Sequence, residues 1–231
     1  MAQCTLNGVG VYDGSVTFPR IGVWHADLSV ATLDAPSGTA EFVLGSQTWQ
    51  GAFSLQSGRD LGGRQRVRVV GGMGTLGTLV QAKGYNPVIA RIPLADALTD
   101  SGESLSASSD PAILNYTLNG GWVRFASPGS SALLAILDSI PNTPSWRVVP
   151  DGSIWVGYET WPVVNLDNTA YLKSDPSHSS IMIGSYDPDI APGEILQFST
   201  GIQDQQNLKV SVVTHNISSG RIQTSILYEN F

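Results

Sequence analysis

The spacing of apolar positions changes period twice along this chain. From Gly8 to about Val88 it runs at two residues. Trp24, Ala26, Leu28, Val30 and Thr32 form the more apolar set, interleaved with Val23, His25, Asp27, Ser29 and Ala31. Successive side chains leave a strand on opposite faces, so this alternation predicts a half-buried strand. Ala40–Leu44 and Trp49–Leu55 flank Gly45-Ser46-Gln47 and predict a hairpin. Arg64–Val70 predicts a further strand, followed by the glycine cluster Gly71, Gly72, Gly74 and Gly77.

Between about Ile89 and Pro144 the period becomes helical. Pro93 is placed to open a short helix through Leu98 that stops near Gly102. Asp110-Pro111 is an N-cap with proline at the first helical position, and Ile113, Leu114, Thr117 and Leu118 share a face. Ser127-Pro128 repeats the start signal. Leu133, Ile136, Leu137 and Ile140 then follow i, i+3, i+4, i+7 until Pro141 ends the helix. This apolar face is expected to pack on a hairpin made of Trp146–Val149, the turn Pro150-Asp151-Gly152 and Ile154–Gly157. From Glu159 onward strands return, at Ile181–Gly184, Ile195–Thr200, Leu208–His215 and Arg221–Tyr228, the last two joined by Asn216–Gly220. The order is β, then α with a hairpin, then β, without short repeats or low-complexity segments.

Composition adds a reason to expect partners. Charged residues are 13% of the chain against 42% hydrophobic, and only three lysines are present. The charged share is about half of the ~25% usual for globular proteins. A surface so poorly charged is expected to meet other subunits. The net charge of −7 argues against a nucleic-acid-binding surface, which must neutralise phosphates, but suits a wall past which DNA slides. Cys4 is the sole cysteine, which rules out an internal disulfide and a Cys-based zinc site. Met1–Gly14 has neither a basic nor an apolar signal region, and the longest aliphatic run, Ala132–Leu137, is far too short to span a bilayer. These features predict a soluble intracellular product.

Few residues offer chemistry. Gly72-Met73-Gly74-Thr75-Leu76-Gly77 matches a dinucleotide fingerprint after a strand, but Gly84 and Pro87 interrupt the helix that such a site requires. A turn is the expected reading. No G-x-S-x-G nucleophile elbow and no H-E-x-x-H zinc motif occurs. His178 with Asp175 or Asp187 could be imagined in a triad, though an exposed loop histidine is the plainer reading; His25 and His215 fall on strands. Asp187-Pro188-Asp189 with Glu194 offers carboxylates for calcium but lacks a calcium-loop spacing, so a solvated acidic loop is expected. Trp122, Trp146, Trp155 and Trp161 could form a sugar platform, or simply pack the hairpin on the helices. Arg64, Arg66 and Arg68 alternate on one strand, with Arg59 upstream, so their guanidiniums share a face. That stripe is the candidate subunit interface, with a solvated face as the alternative.

Four segments in order resemble the central hub protein of contractile phage tails, the family of the late-control D proteins and the hub of T4-like baseplates. They are Val67–Gly77 followed by Gly84-Tyr85; Ile92–Glu103; Ser131–Gly157; and Leu208–Tyr228. Together they cover about two thirds of the chain, and it is their order that carries the likeness. The resemblance implies a mainly β fold with an α/β insertion: two tail-tube-like antiparallel β-barrels at 1–88 and 158–231, separated by inserted helices and a hairpin at 89–157. It implies a non-enzymatic structural subunit with no catalytic residue, no cofactor and no metal. Three copies would form a pseudo-six-fold ring in the tail baseplate of the virion, connecting the hexameric tail tube to the trimeric spike. Its partners would be itself as a homotrimer, the tail tube protein, the spike protein and other baseplate proteins, with no membrane and with DNA only as passing cargo in the lumen. The protein would be made in the host cytoplasm. The alternative from another class is a β-rich carbohydrate- or receptor-binding virion protein.

Overall fold

The computed structural model describes residues 4–31, 37–54, 59–60, 63–166, 171–184, 190–198, 208–218 and 221–229. The chain is mainly β, 52% strand and 15% helix, as the periodicity predicts. Its first strands are β1 (Cys4–Leu6), β2 (Val9–Pro19), β3 (His25–Ala31), β4 (Thr39–Leu44), β5 (Gln47–Phe53), β6 (Arg59–Asp60) and β7 (Arg64–Gly71). Six of them close an antiparallel barrel in the order β1-β4-β5-β7-β3-β2 and back to β1. β6 continues the ladder on β7 where β5 leaves it. The period-two reading fixes the barrel interior correctly: Trp24, Ala26, Leu28 and Val30 point inward with Phe18, Phe42, Val67 and Val69, all buried. β1 escaped that reading. It is joined to β2 by Asn7-Gly8, both at positive φ, the mirror-image turn that matches strand twist. Trp24 fits because Gly71 faces it: a Cβ there would come within 2.5 Å of the indole Nε1.

The insertion consists of β8 (Leu79–Val80), β9 (Lys83–Tyr85), β10 (Val88–Ile89), α1 (Arg91–Ser101), α2 (Pro111–Leu114), β11 (Thr117–Leu118), β12 (Trp122–Arg124), β13 (Ser127–Pro128), α3 (Gly129–Asp138), β14 (Ser145–Val148) and β15 (Ile154–Gly157). Helix α1 ends on Gly102 at φ 88°, whose N–H bonds the carbonyls of Leu98 and Thr99. Asp110 caps α2, its Oδ1 accepting the Ala112 N–H at 2.8 Å. That helix is a single turn, however, and Thr117 and Leu118 leave it to pair with Ile89 and Val88. The start of α3 also differs from expectation. Ser127 does not cap it; its hydroxyl donates to the Phe125 carbonyl. The first-turn amides of Gly129 and Ser130 instead donate to the carbonyls of Thr78 and Leu76, so the glycine-rich loop does the work of a cap.

Leu133, Ile136, Leu137 and Ile140 are buried as predicted, but the main neighbour of α3 is α1, with β8 and β13, rather than the β14–β15 hairpin. The hairpin lies between the barrel and the segment after α1. Its Trp146 carbonyl accepts from Gly22, its Pro150 carbonyl from Gln50, and its Ile154 amide donates to Ser104.

The remaining strands are β16 (Val163–Leu166), β17 (Tyr171–Asp175), β18 (Ser180–Ile183), β19 (Ile195–Phe198), β20 (Leu208–Ser218) and β21 (Arg221–Glu229). They pair in the order β16-β19-β20-β21-β18-β17 around a second core of Ile181, Ile183, Leu196, Val210, Val213, Ile226 and Tyr228. All pairs are antiparallel except β16 with β19, which the intervening β17–β18 hairpin allows to run the same way. β20 serves both units. Leu208 and Lys209 pair with β19, and Val212–Ser218 pair with β2, so the sheet passes from barrel to second unit without a break. A bulge between Val210 and Val212 marks the crossing.

Candidate functional site

The glycine motif is a turn already filled by an anion of the chain itself. Glu103, just past the end of α1, is buried, and its carboxylate accepts the N–H of Met73 at 3.0 Å, the N–H of Thr75 at 2.9 Å and the Thr75 hydroxyl at 3.0 Å. Positive φ at Gly72 and Gly74 turns those amides inward. In a nucleotide site such amides would meet a phosphate. Here they fasten the insertion to the end of β7.

Among the described residues the histidines do not assemble a triad. His178 Nδ1 lies 2.9 Å from Asp175 Oδ2, but Ser177 Oγ reaches the same nitrogen at 3.0 Å and Asp175 Oδ1 at 2.5 Å. A nucleophile would have to engage the other ring nitrogen, so this is an exposed local turn. The hydroxyl of Ser177 and the His178 ring hold the Asp175 carboxyl below its ordinary range. Asp187 lies outside the described residues, as do Pro188 and Asp189 of the acidic loop; Glu194 Oε2 accepts the Ala191 N–H at 2.7 Å. Among the described residues, no three His, Cys, Asp or Glu side chains gather as metal ligands, and no helix is long and apolar enough to cross a membrane. His215 is buried at the crossing strand, with Nδ1 3.0 Å from Thr224 Oγ1, and burial pushes its pKa down to about 4. Burial pushes the Cys4 thiol up to about 12, which leaves it unreactive.

The tryptophans do not form a bare platform. Trp146 is buried, and Trp122 donates to Ser139 Oγ at 3.2 Å while leaning on Tyr85. Arg147, paired with Glu159, lies 4.3 Å over Trp155. Trp161, held at φ 50°, carries Lys209 at 4.8 Å and Arg20 at 5.5 Å. Both of these rings therefore already carry a cation.

The arginine stripe faces outward as predicted: Arg64, Arg66 and Arg68 are exposed, while Gln65, Val67 and Val69 point into the barrel. Its partners within the chain were not legible beforehand. Arg68 grips Asp27 with both arms, at 2.8 and 2.7 Å, and this pairing holds the guanidinium above its ordinary pKa. Arg64 sits 3.7 Å from Asp13 and 4.5 Å over the Tyr12 ring. Arg66 stands between them, beside a hollow of about 390 Å³ that also touches Asp13, Ser15, Asp27 and Ser29. Asp27 belongs to the polar set of the β3 alternation. Only the β3–β7 register, which joins residues 41 apart, could have revealed it as a partner.

No protein-family model matches the sequence, and no curated protein resembles it detectably in sequence. Solved structures do share its fold. A 43 kDa tail protein of prophage MuSo2 from Shewanella oneidensis superposes with a TM-score of 0.75 at 7% identity, over 100% of this chain and 98% of that one. A tail protein of Neisseria meningitidis gives 0.68 at 12% identity, over 99% and 97%. An Escherichia coli component of the type VI secretion system, itself structurally similar to the T4 bacteriophage tail proteins gp27 and gp5, gives 0.68 at 11%, over 99% and 77%. At such identities the likeness is one of fold. This chain has the fold of phage tail proteins and of their type VI secretion counterparts.

Proposed function

We propose that the chain is a non-enzymatic structural subunit of a phage-type tail, and that its place is the baseplate hub. In this reading three copies form a pseudo-six-fold ring, each giving a barrel and a second β unit. The ring joins a hexameric tail tube to a trimeric spike and contacts other baseplate proteins, with DNA passing through its lumen. The chain would be made in the host cytoplasm and reside in the virion tail.

The observation that carries the reading is architectural. A closed barrel and a second β unit share β20, with an α/β insertion between them, and this arrangement matches tail proteins over nearly their whole lengths. Both β units lie in one continuous sheet, and in this reading each of them faces one subunit of the six-fold tube. The chemistry agrees: the glycine loop is filled by Glu103, the His178–Asp175 pair is a surface turn, and the charged fraction is low. The carbohydrate-binding alternative has less support, because Trp146 is buried and the rings of Trp155 and Trp161 already carry Arg147, Arg20 and Lys209.

Light scattering on the purified chain tests the assembly, and co-purification with the tail tube and spike proteins of the same genome tests the position. A trimer that binds both is expected. A monomer that binds neither would overturn the proposal.

A further inference from the structure

An aspartate or asparagine precedes glycine four times in this chain, as Asn7-Gly8, Asp13-Gly14, Asn119-Gly120 and Asp151-Gly152. At such pairs a polypeptide can react with itself, because glycine has no Cβ to keep its main-chain nitrogen from the preceding side-chain carbonyl. The fold holds three of them shut. Asn7 Oδ1 accepts the Glu41 N–H at 2.7 Å, and the Asn7 N–H donates to the Glu41 carbonyl at 2.8 Å. Asp151 Oδ1 accepts the N–H of Ser153 at 2.8 Å and its hydroxyl at 2.5 Å, while the Gly152 N–H donates to the Val149 carbonyl at 2.9 Å. Gly14 lies within the barrel wall between Leu28 and Ile217, where even a Cβ would come within 2.2 Å of the Asp27 carbonyl oxygen.

Asn119 is different. It is exposed, in the turn that leads from β11 to β12. Among the described residues neither its side chain nor the Gly120 N–H makes a hydrogen bond. Gly120 and Gly121 follow at φ 78° and 83°. The glycine nitrogen, the side-chain carbonyl and water are all free to meet at this pair.

We propose that Asn119 is the residue at which this protein modifies itself, by deamidation through a cyclic imide. The Gly120 main-chain nitrogen bonds to Cγ of Asn119, and the bond from Cγ to the side-chain nitrogen breaks. That nitrogen leaves as ammonia, taking the proton shed by Gly120. Water then opens the ring. Cleavage at Cγ leaves aspartate, whereas cleavage at the main-chain carbonyl leaves an isoaspartyl link with one more carbon in the main chain. Nothing is oxidised or reduced, and both products carry a new carboxylate. The position gives the change a structural effect, since the turn joins two fixed pairings, Leu118 with Val88 and Trp122 with Tyr85. The lengthened main chain must be absorbed between them.

The test is to hold the purified chain in mildly alkaline buffer, with a portion kept unfolded in urea, and to map peptides by mass spectrometry over time. In the folded chain the peptide containing Asn119 should gain one mass unit and split into two chromatographic forms. The peptide containing Asn7 should lag about tenfold or more, because its hydrogen bonds must break first. In urea the two asparagines should react at similar rates. Isoelectric focusing should show a new, more acidic band for the folded wild type that Asn119→Ser lacks. Equal rates at Asn7 and Asn119 in the folded chain would overturn the proposal, and so would an Asn119 that keeps its amide while the unfolded sample loses it. A lag at Asn7 that persists in urea would overturn the role assigned to the fold.

Discussion

His215 makes the stability of this fold depend on pH in a defined window. It is buried on the part of β20 that pairs with β2, opposite Val16 and close to the edge of Phe18. An imidazolium there would lose its hydration, so the folded chain keeps the ring neutral down to about pH 4. The unfolded chain protonates it near the ordinary 6.5. Below that value the unfolded state therefore binds more protons than the folded one. The stability contributed by the neutral ring is complete above pH 6.5 and is lost as the pH falls toward 4. At 1.36 kcal/mol per pKa unit, the loss is about 2 kcal/mol by pH 5 and roughly 3 kcal/mol near pH 4. His215→Gln keeps a hydrogen-bonding group for Thr224 but cannot titrate. Urea unfolding of both proteins at pH 7, 6, 5 and 4.5, at one protein concentration, isolates this residue from the carboxylates that titrate in both. The wild-type stability should fall relative to the variant by about 2 kcal/mol between pH 7 and 5. A gap that stays constant over that range would refute the assignment of a depressed pKa to His215.

Three other perturbations probe the packing. Leu137→Ala should cost roughly 2–5 kcal/mol, because Leu137 is fully buried between α3 and its neighbours; an unchanged melting temperature would count against that packing. Glu103→Ala should cost about 2–4 kcal/mol and speed hydrogen exchange at the amides of Met73 and Thr75, whose acceptor it removes; amides that stay protected would contradict the clip. Gly71→Ala drives a methyl group into the Trp24 ring and should destabilise by about 1–3 kcal/mol with a shift in tryptophan emission; wild-type emission and stability together would argue against the close approach.

Much of this architecture was readable before any coordinates, for a simple reason. A strand with one buried face must alternate, so Trp24–Val30 declared their sheet face, and so did Arg64–Val70. Likewise the i, i+3, i+4, i+7 spacing of Leu133 to Ile140 fixed the buried side of α3. What alternation cannot carry is which strand lies beside which. Asp27 was assigned to the polar face, but nothing local says that Arg68 is its neighbour. The sharing of β20 with β2 is equally silent in the sequence, and so is the parallel pairing of β16 with β19. Start signals misled where tertiary groups replaced local ones. Ser127-Pro128 looks like a cap and a first turn, yet carbonyls from the glycine loop satisfy the amides of α3, and Ser127 joins a strand. The Arg–Trp stacks were hidden too, because Arg20 and Lys209 reach Trp161 from opposite ends of the chain.

The pairing of β2 with β20 also has a consequence for how the protein is made. Thr17 and Thr214 touch through their hydroxyls, 3.2 Å apart in space and 197 residues apart along the chain. A ribosome adding roughly 5–20 residues per second needs about 10–40 seconds to get from one to the other. The barrel can close early, because β1 to β7 suffice for it, but the stretch from Asp13 to Pro19 has no cover on that side until β20 emerges. A bare strand edge is a template for any other strand nearby. Nascent copies on one messenger, each carrying the same uncovered edge, are well placed to join wrongly. The yield of correctly folded subunits should therefore respond to translation speed and to how densely ribosomes are loaded, although nothing in the finished fold records that interval.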